Sequence, residues 1–170
     1  MISQAACRAA RGICVVEANL SAASISNSDV LPFIERELRK TGADPADLVF
    51  EITETALMKD MAAGEAFAHG LAEIGCGLAL DDFGTGYGGF TYLKRLPLRY
   101  LKIDIEFVRD LATNTANRHV VKAIVSLAHA FGLQTVAEGV EEEDSLAVLR
   151  AERVDYAQGY HLGRPTPASD

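Results

Sequence analysis

Short apolar runs of strand character alternate with longer amphipathic segments from Cys14 to Gln158, and this alternation restricts the fold more than any other feature of the chain. The strand candidates are Cys14–Leu20, Leu48–Thr53, Cys76–Asp81, Tyr100–Asp104, Gln134–Glu138 and Tyr156–Gln158. Helical periodicity is clearest over Ala116–Phe131, where Val120, Val121, Ile124, Leu127, Ala128 and Phe131 recur on one side before Gly132 ends the run. Val30–Lys40 follows Ser28-Asp29, carries Pro32 in its first turns and stops at Gly42. Ala56–Ile74 is led by Thr55 and closes at Gly75, with Gly64 and Gly70 as points where it could break. Strands separated by crossover-length helices must lie parallel in a sheet that the helices cover. A doubly wound sheet and a (β/α) barrel both satisfy that. The first strand runs into NLSAAS rather than a dinucleotide-binding glycine pattern, which weighs against the doubly wound nucleotide-binding form.

The strand ends carry the functional signal. Asn19 closes the first strand, Glu51 and Glu54 the second, Asp81 and Asp82 the third, Lys102 and Asp104 the fourth, Glu138 the fifth and Gln158 the sixth. Any one of these could be a helix cap or a solvated edge. Every strand delivering a polar group at its C-terminal end is what a barrel active site requires. In LRYLKID, strand alternation puts Lys102 and Asp104 on one face and Leu101 and Ile103 on the other, as suits a barrel with chemistry inside and helices outside.

Asn19, Glu51, Asp81 and Asp82 are hard oxygen donors without a soft ligand among them, the set expected for Mg²⁺ or Mn²⁺. Adjacent aspartates repel unless a cation offsets them. A pair of such ions is a known device for phosphodiester hydrolysis, with Lys102 orienting water or neutralising phosphate. For Lys102 a structural ion pair with Asp104 or Glu138 is an equal reading. The loop Gly84–Gly89 read alone is an ordinary turn.

The 170 residues suffice for one domain. A net charge of −8 argues against a nucleic-acid polymer as partner. There is no membrane-spanning apolar stretch and no signal-peptide pattern. Three cysteines, Cys7, Cys14 and Cys76, lack metal-ligand spacing and read as reduced thiols of a cytoplasmic protein. The four histidines read as surface or packing residues.

The segments EANLS, FEITET, ALDDFGTGYGG, LKIDIEFV, VAEGVE and AQGYHLGRP occur in this order along nearly the whole chain. Together they closely resemble the bacterial EAL domain, the cyclic di-GMP phosphodiesterase module. The resemblance implies a TIM-like (β/α) barrel and metal-dependent hydrolysis of cyclic di-GMP to the linear dinucleotide. It makes Asn19, Glu51, Asp81 and Asp82 metal ligands, Lys102 the contact to the catalytic water, and Glu138 the glutamate near that water. Glu141 and Gln158 match supporting polar positions, Asp104 the aspartate of the Lys-Ile-Asp motif, and Glu54 the glutamate that pins the loop after the paired aspartates. In the family the Glu-Ala-Leu signature lies upstream of Asn-Leu-Ser. The resemblance therefore implies a single domain fragment over 1–170, incomplete, with about six of the eight βα units and without one metal-ligand glutamate. On that reading MISQAACRAARGI is the tail of a helix before the first strand, and open strand edges call for a homodimer or edge pairing. Gly88-Gly89 replaces the family's usual pair of serines. The alternative function is a module that binds cyclic di-GMP or a protein without hydrolysis.

Overall fold

The computed structural model describes residues 5–8, 13–84 and 90–164. The chain forms two compact units, Met1–Asp81 with Gly86–Tyr100, and Asp82–Thr85 with Leu101–Asp170. The Gly88-Gly89 substitution and most of the glycine loop lie outside the described residues.

In the first unit β1 (Ala5–Arg8) runs antiparallel to β2 (Ile13–Leu20), which pairs in parallel with β3 (Leu48–Thr53), and β3 pairs in parallel with the start of β4 (Gly77–Phe83). The strand at Ala5–Arg8 replaces the helix tail expected there. An edge strand exposes a row of unpaired N–H and C=O groups, and a neighbouring segment of chain satisfies them more directly than a helix end can. Val49, Phe50, Ile52, Leu78 and Leu80 are buried along β3 and β4, and Leu57, Phe67 and Leu71 join them in the core. Burial on both faces suits strands covered by crossover helices.

Those helices are α1 (Ala22–Ile25), α2 (Val30–Thr41), α3 (Glu54–Lys59) and α4 (Met61–Ile74). The single helix expected over Ala56–Ile74 is thus two. The break is at neither glycine but at Asp60, whose backbone leaves the helical region and whose carboxylate accepts the Ala63 N–H at 3.0 Å to cap α4. Gly64 and Gly70 serve close packing instead. A Cβ at Gly64 would run into Leu57 of α3, and one at Gly70 into Leu31 of α2.

The second unit holds the rest of β5 (Tyr100–Ile103), then β6 (Gln134–Ala137) and β7 (Tyr156–Ala157). The Glu138 N–H donates to the Ile103 carbonyl at 3.1 Å, and β6 pairs in parallel with β7, Val136 opposite Tyr156. Helices α5 (Ile105–Val108), α6 (Thr115–Ala130) and α7 (Glu143–Ala151) connect and cover them. Helix α6 is started by Asn114, whose side-chain oxygen accepts from the Ala116 and Asn117 N–H groups. Its inner face buries Val121, Ile124, Val125 and Ala128, as the helical spacing predicts.

Within each unit strand order follows chain order, whereas a doubly wound sheet reverses its order at a switch point. Among the described residues, parallel strands alternating with helices in each unit place the chain in the α/β class of TIM-like (β/α) barrels. Among the described residues no helix is long and apolar enough to cross a membrane.

At the start of β6 one carboxylate collects several donors. Asp155 Oδ2 accepts from the Thr135 N–H and the Thr135 hydroxyl, both at 2.8 Å, and lies 3.0 Å from His129 Nε2. Burial alone raises a carboxyl's pKa, but the Thr135 and His129 contacts outweigh it and hold Asp155 below the ordinary value. A carboxyl lowered on folding stabilises the native state above its unfolded pKa of about 3.9, and that contribution disappears as pH falls through the folded value. Asp155→Asn is therefore expected to be destabilised near neutral pH. The gap to the unmodified chain in urea unfolding should narrow steadily on acidification below about pH 4. A gap independent of pH would remove the ionised carboxylate from the account.

Candidate functional site

In the first unit the ladder decides which side chains share a face. Asn19 lies opposite Glu51, Glu51 opposite Ala79, and Thr53 opposite Asp81. Opposed residues share a face and every second residue returns to it. Asn19, Glu51 and Asp81 therefore occupy one face of this sheet at the C-terminal ends of three successive strands. Glu51 is buried, Asp81 half-buried and Asn19 exposed, a gradient from sheet interior to rim.

Glu54 opens α3 directly after β3. Its side chain is buried and accepts the Tyr92 hydroxyl at 2.7 Å on Oε1, while Oε2 has no hydrogen-bond partner among the described residues. Tyr92 lies in a 3-10 turn, Phe90–Lys94, and is equally buried. Burial, then the hydrogen bond to Glu54 and its negative charge, push the Tyr92 phenol above its usual pKa, so it remains a donor. Nothing in the sequence marks Tyr92 as this partner, because the pair is 38 residues apart. Tyr92→Phe strips the carboxylate of that donor and is expected to cost about 2–3 kcal/mol of unfolding free energy, the penalty of an unsatisfied buried charged group. Chemical denaturation checks it, and a loss below about 0.5 kcal/mol would show that the phenol ring alone does the work.

In the second unit Lys102 is the centre. It lies one residue before the end of β5, its side chain is 4% exposed, and its Nζ lies 2.6 Å from Glu138 Oε1. Gln158, just after β7, donates from Nε2 to the same oxygen at 2.7 Å. Asp82 and Glu138 offer carboxylate oxygens within 4.8 Å of each other. Asp82 has φ +55°, a left-handed conformation uncommon outside glycine and best tolerated by Asp and Asn. Regular alternation would send Asp81 and Asp82 to opposite faces, and this backbone interrupts it where the second aspartate must be re-aimed.

The loops behind Glu138 and Gln158 are stitched together through the backbone. Val140 N–H donates to the Gln158 carbonyl at 3.0 Å, His161 N–H to the Val140 carbonyl at 3.0 Å, and Gln158 N–H to the Ala137 carbonyl at 2.8 Å. Gly159 sits so close to Val140 that a Cβ there would overlap the Val140 backbone. The sequence offers only the glycine as a hint.

Two of the expected residues stand apart from these contacts. Asp104 caps α5, its Oδ1 accepting the Glu106 N–H at 2.6 Å, so the ion pair of Lys102 is with Glu138. Glu141 is exposed, with no side-chain partner among the described residues.

All donors in both groups are oxygens, the chemistry of a hard divalent cation, and Asp82 and Glu138 are close enough to serve one. Asn19, Glu51 and Asp81 present a second oxygen set on one face of the first unit's sheet. The residues present fit such an ion.

The EAL domain family model matches residues 1–165. The chain belongs to the EAL domain family. EAL domains depend on divalent metal, in keeping with the carboxylates above. A Pseudomonas aeruginosa protein named bifunctional diguanylate cyclase/cyclic di-GMP phosphodiesterase MucR is 38% identical over 153 residues, covering 90% of this chain and 22% of that protein. A solved structure described as PaMucR phosphodiesterase in complex with c-di-GMP matches with TM-score 0.86 and 38% identity, over 91% of this chain and 62% of that one. The FimX EAL domain from Pseudomonas aeruginosa, bound to c-di-GMP, matches with TM-score 0.86 and 30% identity, over 92% of this chain and 64% of that one. The chain thus spans about a fifth of the length of such a curated relative.

Proposed function

We propose that residues 1–170 act as one EAL-type domain fragment that hydrolyses cyclic di-GMP to linear pGpG in bacterial second-messenger signalling. The observation that carries this is the buried Lys102 ammonium 2.6 Å from Glu138, whose carboxylate lies beside that of Asp82. The MucR relative, named as a cyclic di-GMP phosphodiesterase, gives the substrate class.

Asn19, Glu51, Asp81 and Asp82 would hold Mg²⁺ or Mn²⁺, two ions in a complete domain. When bound, the cation supplies Lewis acidity that activates water and offsets charge on the phosphodiester. Lys102 orients the attacking water and stabilises the charge that develops on phosphate, a task suited to a compact ammonium fixed in a dry pocket. Glu138 holds Lys102 in place and faces the water, and Gln158 holds Glu138. Glu54 anchors the loop after β4, and Glu141 and Asp104 support the rim. The fragment works in the cytoplasm, as a homodimer or with a paired strand edge.

Incubation with cyclic di-GMP and Mn²⁺ tests the reading by product analysis. Linear dinucleotide is expected, with at least a hundredfold loss in Asp81→Asn. Tight binding without turnover in both proteins would make the chain a receptor, and neither binding nor turnover would overturn both functions.

A further inference from the structure

Glu138 is followed at once by a glycine in the left-handed region, Gly139 with φ +65°. Glycine visits both signs of φ almost equally well, so this position is a hinge directly behind the carboxylate that holds Lys102. The backbone is tied on either side of it. Glu138 N–H donates to the Ile103 carbonyl at 3.1 Å, and Val140 N–H to the Gln158 carbonyl at 3.0 Å. Neither bond is made by Gly139.

What stands against Gly139 is the side chain of Ile105. A Cβ on Gly139 would fall on Ile105 Cδ1 and Cγ1 and lie 3.0 Å from its Cβ, so the isoleucine fills the space that a side chain at 139 would take. We propose that Ile105 is a positioning residue, a stop that holds the Gly139 hinge and thereby fixes Glu138 against Lys102. The inference rests on the hydrolytic reading of this site. Ile105 follows the strand that carries Lys102, and Gly139 adjoins Glu138, so one apolar contact joins the two segments that bear the ion pair.

The stop is firmly mounted. Ile105 opens α5, a single turn fixed at both ends. At its start Asp104 accepts the Glu106 N–H at 2.6 Å. At its end Asn117 of α6 donates from Nδ2 to the Glu106 and Arg109 carbonyls, at 3.1 and 3.2 Å. The residue type also suits the task. Branching at Cβ restricts χ1, so the side chain cannot swing clear as an unbranched one can. Ile105 is nevertheless 37% exposed, whereas Val108 of the same turn is buried. An apolar side chain left partly in water gains only from what it covers, and here that is Gly139.

The test compares Ile105→Ala, Ile105→Val, Gly139→Ala and the double variant Ile105→Ala with Gly139→Ala. Turnover of cyclic di-GMP with Mn²⁺, thermal melting and amide hydrogen exchange are measured on each. In Ile105→Ala kcat is expected to fall about tenfold or more, the scale of a displaced group at a reacting centre, with KM within about twofold. Ile105→Val keeps the Cβ branch and should retain about half of the unmodified kcat or more. Exchange at the Glu138 and Val140 amides should quicken about tenfold in Ile105→Ala, while Val136 stays within about twofold. Gly139→Ala should lower the melting temperature by several degrees less in the Ile105→Ala background than in the unmodified chain, because the two substitutions share one contact.

An unchanged kcat in Ile105→Ala would overturn the proposal, as would a raised KM alone, which would make Ile105 a substrate contact instead. Unchanged exchange at Glu138 and Val140, or melting losses that simply add, would overturn it too. Absence of turnover in the unmodified chain would remove the hydrolytic reading, and exchange and melting would still decide whether Ile105 holds the hinge.

Discussion

Lys102→Met is expected to lower hydrolysis steeply and to weaken the fold, and the two effects separate in a double variant. The ammonium is almost wholly buried against Glu138, so its removal leaves a carboxylate without its charge partner. Removing one member of a fully buried pair costs about 3–5 kcal/mol; because Glu138 retains partial contact with solvent, about 2 kcal/mol is the expected loss in urea unfolding. Turnover should fall about 100- to 1,000-fold, the usual scale for losing one group aimed at transition-state charge. Pairing Lys102→Met with Glu138→Gln removes the stranded charge, and its stability should recover to within about 1 kcal/mol while activity stays at the lowered level or below. If the double variant is no more stable than Lys102→Met alone, the ion pair is not what places this lysine. If Lys102→Met keeps its turnover, the lysine is structural and its assigned role falls.

Gly159→Ala should be as damaging, through packing rather than charge. The new methyl group has backbone in its way, the N and C=O of Val140, which cannot swing aside as a side-chain tip can. Relief requires separating the two segments that carry Glu138 and Gln158. A loss of about 3 kcal/mol is expected, at the upper end for overpacking. Activity in conditions where the variant remains folded should fall as well, because the 2.7 Å bond from Gln158 to Glu138 cannot survive the separation. Gln158→Ala supplies the comparison: lower turnover with stability changed by about 1 kcal/mol, the net worth of one hydrogen bond. Wild-type stability in Gly159→Ala would show that the chain relaxes there at little cost.

Local patterns made the parallel strands and most helices legible, since alternation and helical spacing survive within ten residues. Strand ends gave the polar residues of both oxygen groups for the same reason. The rest depended on partners far along the chain. Ala5–Arg8 has no strand pattern of its own and becomes one because β2 offers an edge. Asp60 ends a helix without glycine or proline, by accepting a backbone N–H that its neighbours leave unbonded. The bond from Tyr92 to Glu54 and the Asp155 contacts join segments whose spacing carries no periodic signal. Asp82 was readable as a carboxylate but not as a left-handed residue.

Strand β7 is only two residues long, too short for its ladder to set its own alignment. It is pinned instead beyond both tips, by Asp155 to Thr135 before it and by Gln158 to Glu138 after it. The distance along the chain between those pins acts as a gauge. Adding or deleting one residue between Asp155 and Gln158 leaves no alignment that satisfies both, so this short segment should accept changes of side chain far more readily than changes of length.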